Sequence, residues 1–220
     1  FVTITSHTSQ SDVYVYDNAG TLRYTIPCLS QGLIAISLCK MGDLDGDGCD
    51  DFVVGCNDTT SRGLQMLVSG RNGAVLRKTS GLQAGDKTSE FVSNLGDIDG
   101  DGVNDYAAFA YWSASRVIAV AYSGQTGTVI RSWVDYANSV VTGEDFDQDG
   151  VNDIVTGADW ILLPPNVYGW TWCHSGRDGS ELWRVDNFLA PPSTGNNGSS
   201  GWMEYSASLG VQPGSPYPVV

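Results

Sequence analysis

Positive charge is scarce in this chain: 11 Lys and Arg stand against 25 Asp and Glu, a formal net charge of −14. No cluster of basic side chains is available to neutralise phosphates, which argues against a nucleic-acid partner. Histidine is scarcer still, with His7 and His174 far apart in sequence. His174 falls on a strand position held by Val68 and Tyr122 in sister segments, so it reads as a packed or rim residue rather than a base. No G-x-S-x-G, P-loop or Cys/His nucleophile pattern is present. Glu90, Glu144, Glu181 and Glu204 show no spacing that makes a glycosidase acid pair. The chain is therefore expected not to be an enzyme, although a fold can assemble a site from distant loops. No apolar run approaches the length of a membrane span, so none is expected. No segment carries a sustained 3.6-residue apolar period, which predicts almost no helix. There is no signal peptide and the first residue is Phe1 rather than Met, so the expected chain is a mature, processed or truncated one. The cysteines number five, an odd count in a spacing that fits no zinc pattern. Cys39 and Cys56 are candidates to face each other across a hairpin, and small buried hydrophobes are the alternative reading. Asn57-Asp58-Thr59 and Asn197-Gly198-Ser199 match the glycosylation sequon, which matters only in a eukaryotic secreted protein.

Glycine and aromatics, by contrast, are plentiful: 27 Gly, 7 Trp and 10 Tyr, with only 16% charged residues. That is the composition of a β-rich globular protein with many turns, and 220 residues suffice for one domain spanning 1–220. The most informative stretch is G-D-L-D-G-D-G-C-D-D-F-V-V at 42–54. It returns as G-D-I-D-G-D-G-V-N-D-Y-A-A from Gly96 and as E-D-F-D-Q-D-G-V-N-D-I-V-T from Glu144. Four carboxylates at such spacing repel one another unless a cation sits among them, and oxygen-only donors on a short loop suit calcium before magnesium. About three ions are expected, which would bring the net charge to about −8. An EF-hand is disfavoured, because position 12 of the loops is Val54, Ala108 or Thr156 and a strand-like run follows in place of a helix.

A second landmark keeps step with the first. S-G-R-N-G at 69–73 recurs as S-G-Q-T-G at 123–127 and S-G-R-D-G at 175–179, with a weaker copy, Y-D-N-A-G, at 16–20. Each reads as a hairpin turn. Each full repeat then resolves into four strands: 33–39, 51–56, 63–69 and 74–79; 89–95, 105–111, 116–123 and 128–134; 137–143, 153–158, 168–175 and 180–185. A four-stranded antiparallel unit repeating every 50 or so residues predicts an all-β fold, a β-propeller. Its blades are expected at about 27–80, 81–135 and 136–187. The fourth is a composite of 201–220 and 1–26. In it the N-terminus supplies later strands at 12–17 and 21–26, and the C-terminus earlier ones. Residues 1–5 extend or pair beside the second strand. Residues 209–220 look like a worn copy of the Asp loop whose carboxylates are gone. The alternative is a fragment of a larger propeller. The Pro/Gly/Ser/Asn-rich segment 188–201 reads as an exposed loop, and 160–167 as an apolar insertion between two strands.

The three D-x-D-x-D-G-x-x-D loops, each followed by a strand, resemble the FG-GAP repeat of integrin α-subunit propellers and of many bacterial secreted proteins, over about 11–220. The Phe-Gly pair of that repeat is weak here, as at Val92-Ser93-Asn94. The resemblance implies three ligand sets. The first is Asp43, Asp45, Asp47, the carbonyl of Cys49, and Asp51. The second is Asp97, Asp99, Asp101, the carbonyl of Val103, and Asp105. The third is Asp145, Asp147, Asp149, the carbonyl of Val151, and Asp153. The glycine at position 6 (Gly48, Gly102, Gly150) lets the loop turn back on the ion. It also implies that the Asp loops share one face and that a partner meets the opposite one. There the loops near 57–62, 81–88, 111–115, 159–167 and 188–201 gather, with Tyr111, Trp112, Trp160 and Trp202 as candidate ligand-stacking aromatics. The expected role is a secreted or cell-surface, non-catalytic binding module for adhesion or protein–protein contact, with a protein or glycan ligand. The alternatives are a lectin-like propeller, an accessory domain of a polysaccharide-degrading enzyme, and a self-assembling structural protein built as a homo-oligomer.

Overall fold

The computed structural model describes residues 1–7, 10–58, 63–81, 89, 91–110, 117–135, 139–142, 144–163 and 166–188. These form fifteen strands in four antiparallel sheets, with one 3-10 turn at Leu29–Gln31 as the helical element among the described residues. The first sheet contains β1 (Val2–His7), β2 (Gln10–Tyr16) and β3 (Leu22–Pro27), in that order. The second contains β4 (Ile34–Gly42), β5 (Asp51–Asn57), β6 (Leu64–Val68) and β7 (Val75–Ser80). The third contains β8 (Phe91–Gly96), β9 (Asp105–Ala110), β10 (Val117–Tyr122) and β11 (Val129–Asp135). The fourth contains β12 (Ser139–Thr142), β13 (Ile154–Leu163), β14 (Asn166–His174) and β15 (Glu181–Phe188).

Neighbouring sheets pack face to face, and the two-residue side-chain period decides which neighbour each residue meets. On β5, Phe52, Val54 and Cys56 join Val13, Val15 and Ile26 of the first sheet in one core cluster. Val53, between them, joins Tyr106, Ala108 and Val120 of the third sheet in another. The same partition recurs on β9, where Ala107 and Phe109 share a cluster with Ile154 of the fourth sheet. Middle strands covered on both faces read as continuous apolar runs, which is why D-F-V-V-G-C and L-Q-M-L-V lack alternation. The outermost strands β3 and β7 show mostly exposed residues, as edges do. At the other side of the sheets β1 packs on β4, β4 on β8, and β8 on β12.

Two expectations change. The N-terminus supplies three strands of its sheet rather than two, because β1 pairs with β2 from Val2↔Val15 to His7↔Gln10. It therefore takes the place beside β2. Residues 201–220, the expected other half of that blade, lie outside the described residues. The apolar insertion at 160–167 is also drawn into the ladder: the β13–β14 hairpin continues past a register shift between Ala158 and Ile161 to Leu163↔Asn166. The expected loop at 188–201 lies outside the described residues beyond Phe188, the end of β15.

Candidate metal centre

Each Asp loop connects the first strand of a sheet to the second, and its first aspartate organises it. Asp43 accepts N–H bonds from Gly46 (2.8 Å) and Asp47 (3.1 Å) on Oδ1 and from Gly48 (2.9 Å) on Oδ2. Asp97 repeats all three with Gly100, Asp101 and Gly102. Asp145 holds Asp149 and Gly150 in the same manner. These donors hold the Asp43 carboxyl below its ordinary range, the Gly48 N–H contributing most. The loop can wrap its first residue because position 6 is left-handed: Gly48, Gly102 and Gly150 have φ of 84°, 88° and 90°. Position 4 is also left-handed, at Gly46, Gly100 and, in the third loop, Gln148 with φ 62°.

The last aspartate is buried and works differently. Asp51 Oδ1 accepts from the Gly70 N–H (2.9 Å) and Oδ2 from Leu44 (2.7 Å). Asp105 binds Gly124 and Ile98, and Asp153 binds Gly176 and Phe146, in the same pattern. This residue therefore ties the Asp loop to the S-G turn between the third and fourth strands. A Cβ on Gly70, Gly124 or Gly176 would collide with the carbonyl oxygen of Asp50, Asn104 or Asn152. Burial raises the Asp51 and Asp153 carboxyls and pushes Asp105 up to about 6, against the pull of its N–H donors Gly124, Ile98 and Asp99. Asp147 is raised too, by desolvation and then by the adjacent charges of Asp149 and Asp145.

Carboxylate oxygens converge in all three loops. One ligand atom each from Asp43, Asp45 and Asp51 lies within 4.8 Å of the others; so it is for Asp97, Asp99 and Asp101, and for Asp145, Asp147 and Asp153. An all-oxygen set of three converging carboxylates fits a hard divalent cation. The fifth-position aspartates also reach the S-G turn. Asp47 and Asp101 accept from the Ser69 and Ser123 hydroxyls at 3.3 and 3.5 Å. In the third loop Asp149 Oδ2 instead takes Arg177 Nε at 2.6 Å. The N–H groups of Cys49, Val103 and Val151 donate to the fifth aspartate, at 2.9, 2.8 and 2.9 Å.

Sequence reasoning treated the S-G turn only as a hairpin and missed that it buttresses the Asp loop. Its period, in step with the Asp loops, was the available signal. Position 8 was missed as well. Asn104 Nδ2 donates to the Met41 carbonyl of the preceding sheet at 2.7 Å, while in the first loop Asp50 pairs with Lys40 at 2.6 Å.

Other candidate residues lie elsewhere or outside the described residues. Tyr111, Trp112 and Trp202 lie outside them, and Trp160 is placed only as a backbone position in β13. His174 is buried against Trp172, ring centroids 4.8 Å apart, as a packed residue would be. Cys39 and Cys56 do not face each other: the β4–β5 register sets Cys39 opposite Val53 and Cys56 opposite Ala35. The hairpin holds register shifts between Ala35 and Ser37 and between Lys40 and Gly42, which the sequence does not announce. No helix among the described residues is long and apolar enough to cross a membrane.

No family model matches the chain, and no curated protein matches it. Among solved structures it is similar to one titled "Structure of Dos1 propeller", with a TM-score of 0.51 and 11% sequence identity. The likeness covers 85% of this chain and 44% of that one, so this chain spans less than half of that chain's length. Such a likeness, joined to four antiparallel sheets packed face to face, shows a β-propeller fold.

Proposed function

We propose that this chain is a calcium-stabilised β-propeller module of the FG-GAP type, secreted or displayed at the cell surface, that binds a partner without catalysing a reaction. One observation carries the reading: three successive sheets present a three-carboxylate cluster at the same hairpin, each braced by the same turn. Mere polar turns would need neither the convergence nor the burial of the ninth-position aspartate. The ions would be held by Asp43, Asp45, Asp47 and Asp51 with the Cys49 carbonyl, by Asp97, Asp99, Asp101 and Asp105 with that of Val103, and by Asp145, Asp147, Asp149 and Asp153 with that of Val151. Bound calcium would neutralise the clustered charge and fix each hairpin; nothing in the arrangement calls for an open catalytic position. In this reading the first sheet and residues 201–220 complete a fourth blade, and a protein or glycan partner meets the face opposite the Asp loops.

Calorimetric titration of chelator-treated, dialysed protein with calcium tests the metal assignment. Uptake of about three equivalents is expected. Absence of stoichiometric uptake sinks the reading, and one equivalent would leave the repeat without its common role.

A further inference from the structure

Two cysteines meet where the first sheet packs on the second. Cys28 follows β3 and Cys56 lies on β5; both are fully buried and belong to the same core cluster. Ser11 brackets them. Its carbonyl accepts the Cys28 N–H at 3.0 Å, and its hydroxyl accepts the N–H of Ala35 at 2.7 Å. Ala35 is the cross-strand partner of Cys56. Cys28 Sγ donates to the Ile26 carbonyl at 3.7 Å and Cys56 Sγ to the Val54 carbonyl at 4.0 Å, and the neighbouring Cys28 thiol together with burial raises Cys56 well above an ordinary thiol. The other three cysteines are differently placed. Cys39 Sγ lies 3.7 Å from the Met41 sulfur, Cys49 sits in the first Asp loop, and Cys173 is on β14. All five stand as free thiols in the structure.

The fold does not require sulfur at this point. In the next interface Gly81 makes the bond that Cys28 makes, its N–H donating to the Gly63 carbonyl at 3.1 Å. The register place of Cys56, five residues after the ninth-position aspartate, is held there by Ala110. A glycine and an alanine suffice where the second sheet meets the third, yet the first interface carries a cysteine on each side.

We propose that Cys28 and Cys56 form a disulfide that staples the first sheet to the second. The oxidant is a small-molecule or protein disulfide. One thiolate attacks it, releasing a thiol and leaving a mixed disulfide. The second cysteine, deprotonated, attacks that bond and releases the other thiol. Two protein thiols are oxidised and one external disulfide is reduced to two thiols. Both sulfurs are buried, so exchange takes place during folding, before the core closes over them. The bond closes the loop from residue 28 to residue 56 and restrains the unfolded chain accordingly. It does not depend on the calcium assignment, and in the organism it rests on the oxidising, secreted or cell-surface location proposed above.

The test is refolding of the full chain in an oxidised/reduced glutathione buffer with calcium held constant, followed by alkylation and non-reducing peptide mapping. The expected result is a single crosslink joining the peptides of Cys28 and Cys56, with Cys39, Cys49 and Cys173 alkylated. The oxidised protein should melt about 10 °C above the reduced one. A C28A/C56A double variant, which brings in small residues like those of the next interface, should fold and show no response to reductant. Five alkylated cysteines, a crosslink between any other pair, or an unchanged melting temperature on reduction overturns the proposal.

Discussion

At the scale of single residues, the aspartates of one loop have separable jobs. Asp99 faces the carboxylate cluster, whereas both oxygens of Asp105 are engaged by backbone N–H groups of Ile98 and Gly124. Asp105→Asn puts an amide NH2 against one of those donors and leaves it unpaired, at a cost of about 2 kcal/mol. That loss should persist in chelator. Asp99 has one oxygen engaged, Oδ1 accepting the Asp101 N–H at 3.1 Å, and an Asn at this position keeps a carbonyl oxygen for that bond, so Asp99→Asn should destabilise the protein only when calcium is present. Denaturant melts of both variants with and without EDTA check this, and identical behaviour of the two would refute the division. Gln148 offers a second check. It is held at φ 62°, where the sister loops have Gly46 and Gly100. Gln148→Gly should stabilise the protein by about 1 kcal/mol, since a left-handed conformation costs a side-chain-bearing residue more than glycine. A lower denaturation midpoint in this variant would contradict the account.

At the scale of elements, the S-G turn connects more than two strands. Gly124 N–H donates to Asp105, and the turn lies so close to the Asp loop that any Cβ strikes the Asn104 carbonyl. Gly124→Ala should therefore cost at least about 2 kcal/mol, through backbone displacement rather than lost burial. The preceding sheet also reaches this turn. Arg77 on β7 donates to the Gly124 carbonyl at 2.6 Å, Arg131 on β11 to that of Arg177 at 2.9 Å, and Tyr24 on β3 to that of Gly70 at 2.7 Å. Arg77→Ala should lose about 2 kcal/mol for a charge-assisted bond, and Arg77→Met should recover part of it by packing. Equal stability of the wild type and both variants in urea would remove this latch from the account. These contacts explain what the sequence did and did not disclose. The Asp loops and the strands beside them were legible, since D-x-D-x-D-G-x-x-D and its period are local patterns. The latch was not, because Tyr24, Arg77 and Arg131 look like ordinary outward residues of edge strands. Only the packing of one sheet on the next gives them partners some 46 or 47 residues away. Likewise Cys39 and Cys56, candidates to face each other, are out of register by several places, because the ladder sets Cys39 opposite Val53 and Cys56 opposite Ala35.

At the scale of the whole molecule, the sheets are joined by three core clusters and a row of strands, β1 through β4 and β8 to β12. Cohesion therefore depends on each sheet keeping its shape, and the Asp loops sit where each hairpin turns. A chain of 23.5 kDa that closes as a four-bladed ring should sediment as a compact monomer. Self-association that grows with concentration would favour an open arc completed by a second copy. The net charge of −14 gives the metal a further role, because three divalent ions would relieve local repulsion in three of the four sheets together. The most direct test of calcium as the stabiliser of this propeller is its melting temperature in EDTA and after calcium is restored. A fall of more than about 10 °C on chelation, reversed by calcium, is expected for three saturated sites. A melting temperature that EDTA leaves unchanged would contradict it.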